Sequence, residues 1–248
     1  MRFGLPKPIH GWRALLGEIG IIVVGVLIAL GAQQWAEQRE WDHRAALANE
    51  AIKAEVGHAA LMGYERQAIQ PCLQGKIREL ADKLDRSDGQ WAASPMAVKN
   101  AQYYNVMPVA YRSPSRVFFS DAWATAISDG TLNHLPAARV EDYSGLYNQL
   151  THMRALQEEE QKAAARLTPL SYDGRIDDRM RAEMLARLAE VDRINSLMAL
   201  VGEQIIAAVR ELHLEYPKDE IAKEVQNILT EQRGNRGSCV KASPLDLG

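Results

Sequence analysis

The sequence predicts an all-α protein in which one N-terminal transmembrane helix continues into a long stalk helix, followed by an antiparallel bundle of about five or six helices. Three observations carry that expectation. Residues 19–32 (IGIIVVGVLIALGA) are uncharged and mostly aliphatic, bracketed by Trp12 and Trp35. Further on, apolar residues recur at alternating spacings of three and four, the period of a helix with one buried face. Nowhere do apolar and polar residues alternate with a period of two, so no strand pair is expected.

The crossing comes first. With Ala14 to Glu18 added, the stretch reaches about 19 residues, or about 28 Å of helix, against a hydrocarbon core of about 30 Å. Trp12 and Trp35 then fall at the two water interfaces, where amphipathic rings are stable. Arg2, Lys7 and Arg13 precede the crossing with no acidic residue among them, and a mixed set from Glu37 to Arg44 follows it. Basic flanks stay in the cytoplasm, so the reading is a cytoplasmic tail (1–11), a transmembrane helix (12–35) and a periplasmic helical domain (36–248) at a bacterial inner membrane. The tail is too short to bury a core of its own. Ala29-Leu30-Gly31 resembles a signal-peptidase site, so a cleaved leader is the alternative; the long apolar run and the helix formers after it favour an anchor that stays.

Glu18, Gly25, Ala29 and Ala32 share one face of the crossing, as does Ala36 beyond it. Such a face lets a second helix approach closely and is a candidate association surface; an interfacial carboxylate is the plainer role for Glu18. After Gln33 the small-residue stripe Ala45, Ala48, Ile52, Val56 and Ala59 predicts a stalk running to about Gln70. Pro71 is expected to end it, with Leu73, Ile77, Leu80 and Leu84 forming a second short helix that stops before Ser87-Asp88-Gly89.

Pro95, Pro108 and Pro114 break the pattern across residues 90–116, which reads as an irregular, tyrosine-bearing segment laid over the helices. A short helix follows, with Ser120 as its N-cap, Trp123 and Ile127 on one face and Gly130 as its stop. The next helix spans about 136–167 with Tyr143, Tyr147, Leu150 and Met153 inward; Glu158, Glu159 and Glu160 read as a solvated face. Pro169 and Asp173-Gly174 make the turn. Met184, Leu188, Val191, Asn195, Met198, Val201, Ile205, Ala208 and Leu212 mark the strongest helix, capped by Asp177 or Asp178 and bounded by Pro217. A last helix carries Ile221, Val225, Ile228 and Leu229 and precedes the glycine-containing tail, 233–248.

The exported part is mildly acidic and the whole chain has a formal net charge of -3, with no basic stripe, so nucleic acid is not an expected partner. Cys72 and Cys239 both fall in the oxidising compartment and are expected to pair, closing a long loop and pinning the tail to the body. The six histidines show no metal-ligand spacing. Phosphate loops, dinucleotide fingerprints and nucleophile elbows are absent from the sequence too, so neither metal nor cofactor nor catalytic residue is assigned. Asp173, Asp177 and Asp178 lack EF-hand spacing and are explained by turns and caps.

Aromatic rings concentrate between Tyr103 and Tyr147 in a chain that is only 6% aromatic. Two readings stay open: an ordinary core patch, or a ligand or partner groove formed by Tyr103, Tyr104, Tyr111, Arg112, Arg116, Trp123 and His134. The segments GEIGIIVVGVLIALGAQQWAEQREW and TAISDGTLNHLPAARVEDYSGLYNQL together resemble an uncharacterised bacterial family of single-pass, N-terminally anchored membrane proteins. The likeness covers the first forty or so residues and, loosely, 120–150. It implies the anchor topology and an all-helical body, and no catalytic residue. The function expected is that of an interaction, scaffold or accessory subunit, with a protein partner or a second copy of the chain. A small-molecule binding or sensing module working through a membrane partner is the alternative, and a hydrolytic enzyme is third.

Overall fold

The computed structural model describes residues 12–94 and 108–247, with side chains from residue 16 onward. The protein is all-α. Five α-helices are present among the described residues: α1 (Trp12–Asp85), α2 (Asp121–Ser128), α3 (Ala137–Ala165), α4 (Asp178–Glu211) and α5 (Lys218–Arg236).

Pro71 does not end a helix. It lies inside α1, which runs unbroken for 74 residues, so the expected stalk and second short helix are one element. A proline in a helix interior withholds the N–H due to the carbonyl four residues back and crowds that turn. That carbonyl belongs to Gln67; one residue further on, the backbone N–H of Lys241 donates to the Ala68 carbonyl at 2.9 Å. The Cys72–Cys239 disulfide closes beside it, as the sequence predicts.

Nor is the distal half of α1 a stalk standing apart from the bundle. It is the bundle's central strut, burying Ile52, Val56, Ala60, Ile69, Leu73, Leu80 and Leu84. Pairs along the helices fix their directions. Asn49, Glu55 and Arg66 of α1 bond Tyr143, Tyr147 and Glu160 of α3, in rising order on both sides, so α1 and α3 run parallel. Arg66 meets Asn195, and Ser87 just past α1 meets Arg181, in falling order along α4, so α4 is antiparallel to α1. The body is therefore three long helices, α1, α3 and α4, flanked by the shorter α2 and α5, rather than five or six helices beyond a stalk.

Two close approaches seat α1, one against α4 and one against the connection between α4 and α5. A Cβ built on Gly63 would stand 2.8 Å from the carbonyl oxygen of Gly202, so the two backbones touch there. A Cβ on Gly57 would meet the ring of Tyr216 at 2.6 Å, and the Tyr216 hydroxyl donates to the Lys53 carbonyl. Glycine permits both contacts because it carries no side chain.

Contrary to the expectation of no strand pair, a short pair is present. Gln90–Trp91 (β1) pairs antiparallel with Gly174–Arg175 (β2), a two-residue ladder too short to leave a period-two pattern. It ties the start of the irregular segment to the α3–α4 turn, and the buried Trp91 indole donates to the Leu170 carbonyl. Asp173 and Asp177 do serve the turn and the cap: Asp173 accepts from the Ala93 N–H, and Asp177 caps α4 by accepting from Met180. Ser120 sits at the start of α2 but its side chain makes no cap; Glu55 of α1 accepts the Ala122 and Trp123 N–H groups instead.

At the other end of α1, residues 16–32 form an apolar helix surface exposed on every side, with Ile21 at 76%. By length and composition this stretch suffices to cross a membrane.

Candidate functional site

Residues 108–120 cross the seam between α1 and α3 and bury charge as they go. Arg66 forks onto Glu160 at 2.6 and 3.0 Å and gives a further bond to Asn195, with its side chain only 6% exposed and that of Glu160 at 0%. The Tyr111 hydroxyl and Ser113 Oγ donate to the same carboxylate. Next along the segment, Arg116 grips Glu65 through Nε and Nη2 at 2.6 and 2.5 Å and reaches Glu231 of α5. Gln157 brackets the Arg116 backbone, accepting from its N–H and donating to its carbonyl. Gln232 also donates to Glu65, and Arg236 donates to the Arg112 carbonyl. Burial, then the negative charge of Glu160, raises the Tyr111 hydroxyl well above its ordinary pKa; burial also lowers the Arg236 guanidinium. Each cation here faces a carboxylate or a carbonyl, so the network clamps segment and helices together.

Glu160 is thus no part of a solvated face, unlike Glu158 and Glu159. It follows Met153 by seven residues and Leu156 by four, which places it on the inward stripe of α3. Within the seam a cavity of about 20 Å3, lined by Met62, Arg66, Phe118 and Met153 among others, has room for one water and no ligand.

The residues proposed for an aromatic groove are not gathered in one place. Tyr103 and Tyr104 lie outside the described residues. Tyr111, Arg112 and Arg116 belong to the buried seam. His134, in a 3-10 turn over Thr131–His134, stacks on Trp41 of α1 with ring centres 4.3 Å apart. Of the described members, Trp123 lines an open cleft. That cleft runs between α2 and α3, has a volume of about 190 Å3, and is bounded by Ser120, Trp123 and Ile127 on one wall and Ser144, Tyr147, Asn148, Thr151 and Arg154 on the other.

Trp123 lies flat on Tyr147, centroids 5.0 Å apart and planes 11° from parallel, so its indole is fixed. Tyr147 in turn donates to Glu55; burial, then that bond, raises its pKa. Arg154 completes the cleft, with Nε and Nη2 buried and without a hydrogen-bond partner among the described residues. A lone arginine three residues past Thr151 has no sequence pattern of its own; its place on the helical face of Ser144, Tyr147 and Thr151 is the one signal it carries.

On the apolar end of α1, Glu18, Gly25, Ala29 and Ala32 are all exposed on one helical face, and nothing lies within 4 Å of a Cβ built at Gly25. No three His, Cys, Asp or Glu side chains gather as metal ligands among the described residues. No protein-family profile, curated protein or solved structure matches this chain.

Proposed function

We propose that the chain is a membrane-anchored helical protein whose body is held in the periplasm and acts by contact, as a scaffold or accessory subunit. The observation that carries this reading is the apolar surface over residues 16–32, exposed all round on the helix that also forms the core of the body. In water such a surface is an association liability; in a bilayer it is at home, with every backbone group satisfied inside the helix. The basic flank Arg2, Lys7 and Arg13 supports an inward N-terminus. A disulfide between Cys72 and Cys239 supports an oxidising compartment for the body. A second membrane helix has a matching face at Gly25, Ala29 and Ala32.

Protease added to intact spheroplasts tests the topology: the body is digested from outside, and non-reducing electrophoresis of the intact chain shows the oxidised form. Digestion only after lysis would place the body in the cytoplasm and end this reading. Crosslinking in membranes tests the contact surface, since Gly25→Leu should lose a dimer band that the unaltered chain gives.

A further inference from the structure

We infer that the cleft between α2 and α3 binds a small carboxylate with an apolar or planar body, its charge held by Arg154 and its body laid along Trp123. The two guanidinium nitrogens left without a partner, Nε and Nη2, form the side-on edge of the fork. Elsewhere in this protein the same edge holds a carboxylate: Arg116 takes both oxygens of Glu65 through Nε and Nη2. Arg154 lines the open cleft and keeps that edge buried and unused among the described residues. A buried donor without an acceptor is costly, and a planar fork matches a carboxylate with two parallel bonds.

The rest of the cleft defines the ligand. Trp123, held flat by Tyr147, and Ile127 give an apolar wall suited to a ring or a short branched chain. Thr151 already donates its hydroxyl hydrogen to the Tyr147 carbonyl and so offers only an acceptor, while Ser144 and Asn148 stand at the exposed rim. A cleft of about 190 Å3 has room for a carboxyl group with one ring. The cleft owes nothing to the anchor, being built from α2, α3 and the Glu55 cap that positions α2.

Calorimetric titration of the full chain in detergent with benzoate tests this. Saturable binding of one benzoate per chain is expected, weakened at least tenfold by Arg154→Gln and abolished by Asn148→Trp, which fills the cleft from an exposed position. Benzyl alcohol, the same ring without the charge, should not compete, and inorganic phosphate should bind more weakly than benzoate. Absence of saturable binding up to about 10 mM benzoate overturns the assignment. So does unchanged affinity in both variants, or equal binding of benzyl alcohol or phosphate. An unliganded melting temperature matching the unaltered chain shows that each variant is folded.

Discussion

The backbone N–H of Lys241 donates to the carbonyl of Ala68 at 2.9 Å, one turn ahead of Pro71. The tail thereby supplies a bond at the turn that proline weakens, and the neighbouring Cys72–Cys239 bridge holds it there. Replacing Cys239 by Ser should lower stability by about 2–5 kcal/mol, the usual range for a native disulfide. It should also let the Lys241 amide exchange freely with solvent. Hydrogen exchange on oxidised and reduced protein checks both effects; a Lys241 amide equally protected in the two forms would show that the hydrogen bond alone holds the tail.

Arg66 and Glu160 form a buried pair whose members are safe only together. Glu160→Leu leaves a buried guanidinium with Asn195 as its remaining partner and should cost about 3–5 kcal/mol in denaturant unfolding. The double variant Arg66→Leu, Glu160→Leu should cost clearly less than the sum of the single ones, because no unpaired charge remains. Additive losses would mean that the two side chains do not interact across the seam.

Two glycines of α1 make a matched comparison. Gly63→Ala drives a methyl group into the Gly202 carbonyl and should destabilise by about 1–3 kcal/mol, as overpacking does. Gly75 sits in the same helix with nothing within 4 Å of the added carbon, so Gly75→Ala should stabilise by about 0.5–1 kcal/mol. Thermal melts of the two variants, shifted in opposite directions, check the α1–α4 contact.

Alkaline pH should destabilise this protein through its buried tyrosines, Tyr111 among them. The Tyr111 hydroxyl holds its proton far more tightly when buried beside Glu160 than in the unfolded chain, where an ordinary tyrosine titrates near pH 10. The folded state therefore binds the extra proton, and its advantage is complete below about pH 10 and lost as pH rises beyond it, at about 1.4 kcal/mol per pH unit. Denaturant midpoints followed upward from about pH 9 should fall more steeply for the unaltered chain than for Tyr111→Phe.

Much of the fold is legible in the sequence because helices announce themselves locally. The stripe from Met184 to Leu212, the Asp177 cap and the stop before Pro217 all emerge as the spacing predicts. What misleads is whatever depends on a partner distant in sequence. Pro71 reads as a stop because the packing that carries α1 through it, with the Lys241 bond to Ala68 beside it, comes from elements distant in sequence. Glu160 reads as solvated because Arg66 and Tyr111 come from other elements, although its register on α3 points inward. The β1–β2 pair is too brief to carry a period, and Ser120 yields its capping role to Glu55, which no local rule could name. Of the described members of the proposed groove, Trp123 lies in the open cleft; Arg154 enters by helical spacing from Tyr147, which is visible in the sequence only once α2 is known to lie alongside.

The continuity of α1 has a mechanical meaning. Between the apolar end and Trp41, which already stacks on His134 of the body, residues 33–40 form about 12 Å of exposed helix with no hinge, at about 1.5 Å per residue. With the apolar end embedded as proposed, those residues act as a gauge that holds the body at one height above the lipid. The same shaft carries torque, so any turn imposed on the embedded end by a neighbour swings the Trp123 cleft through the same angle.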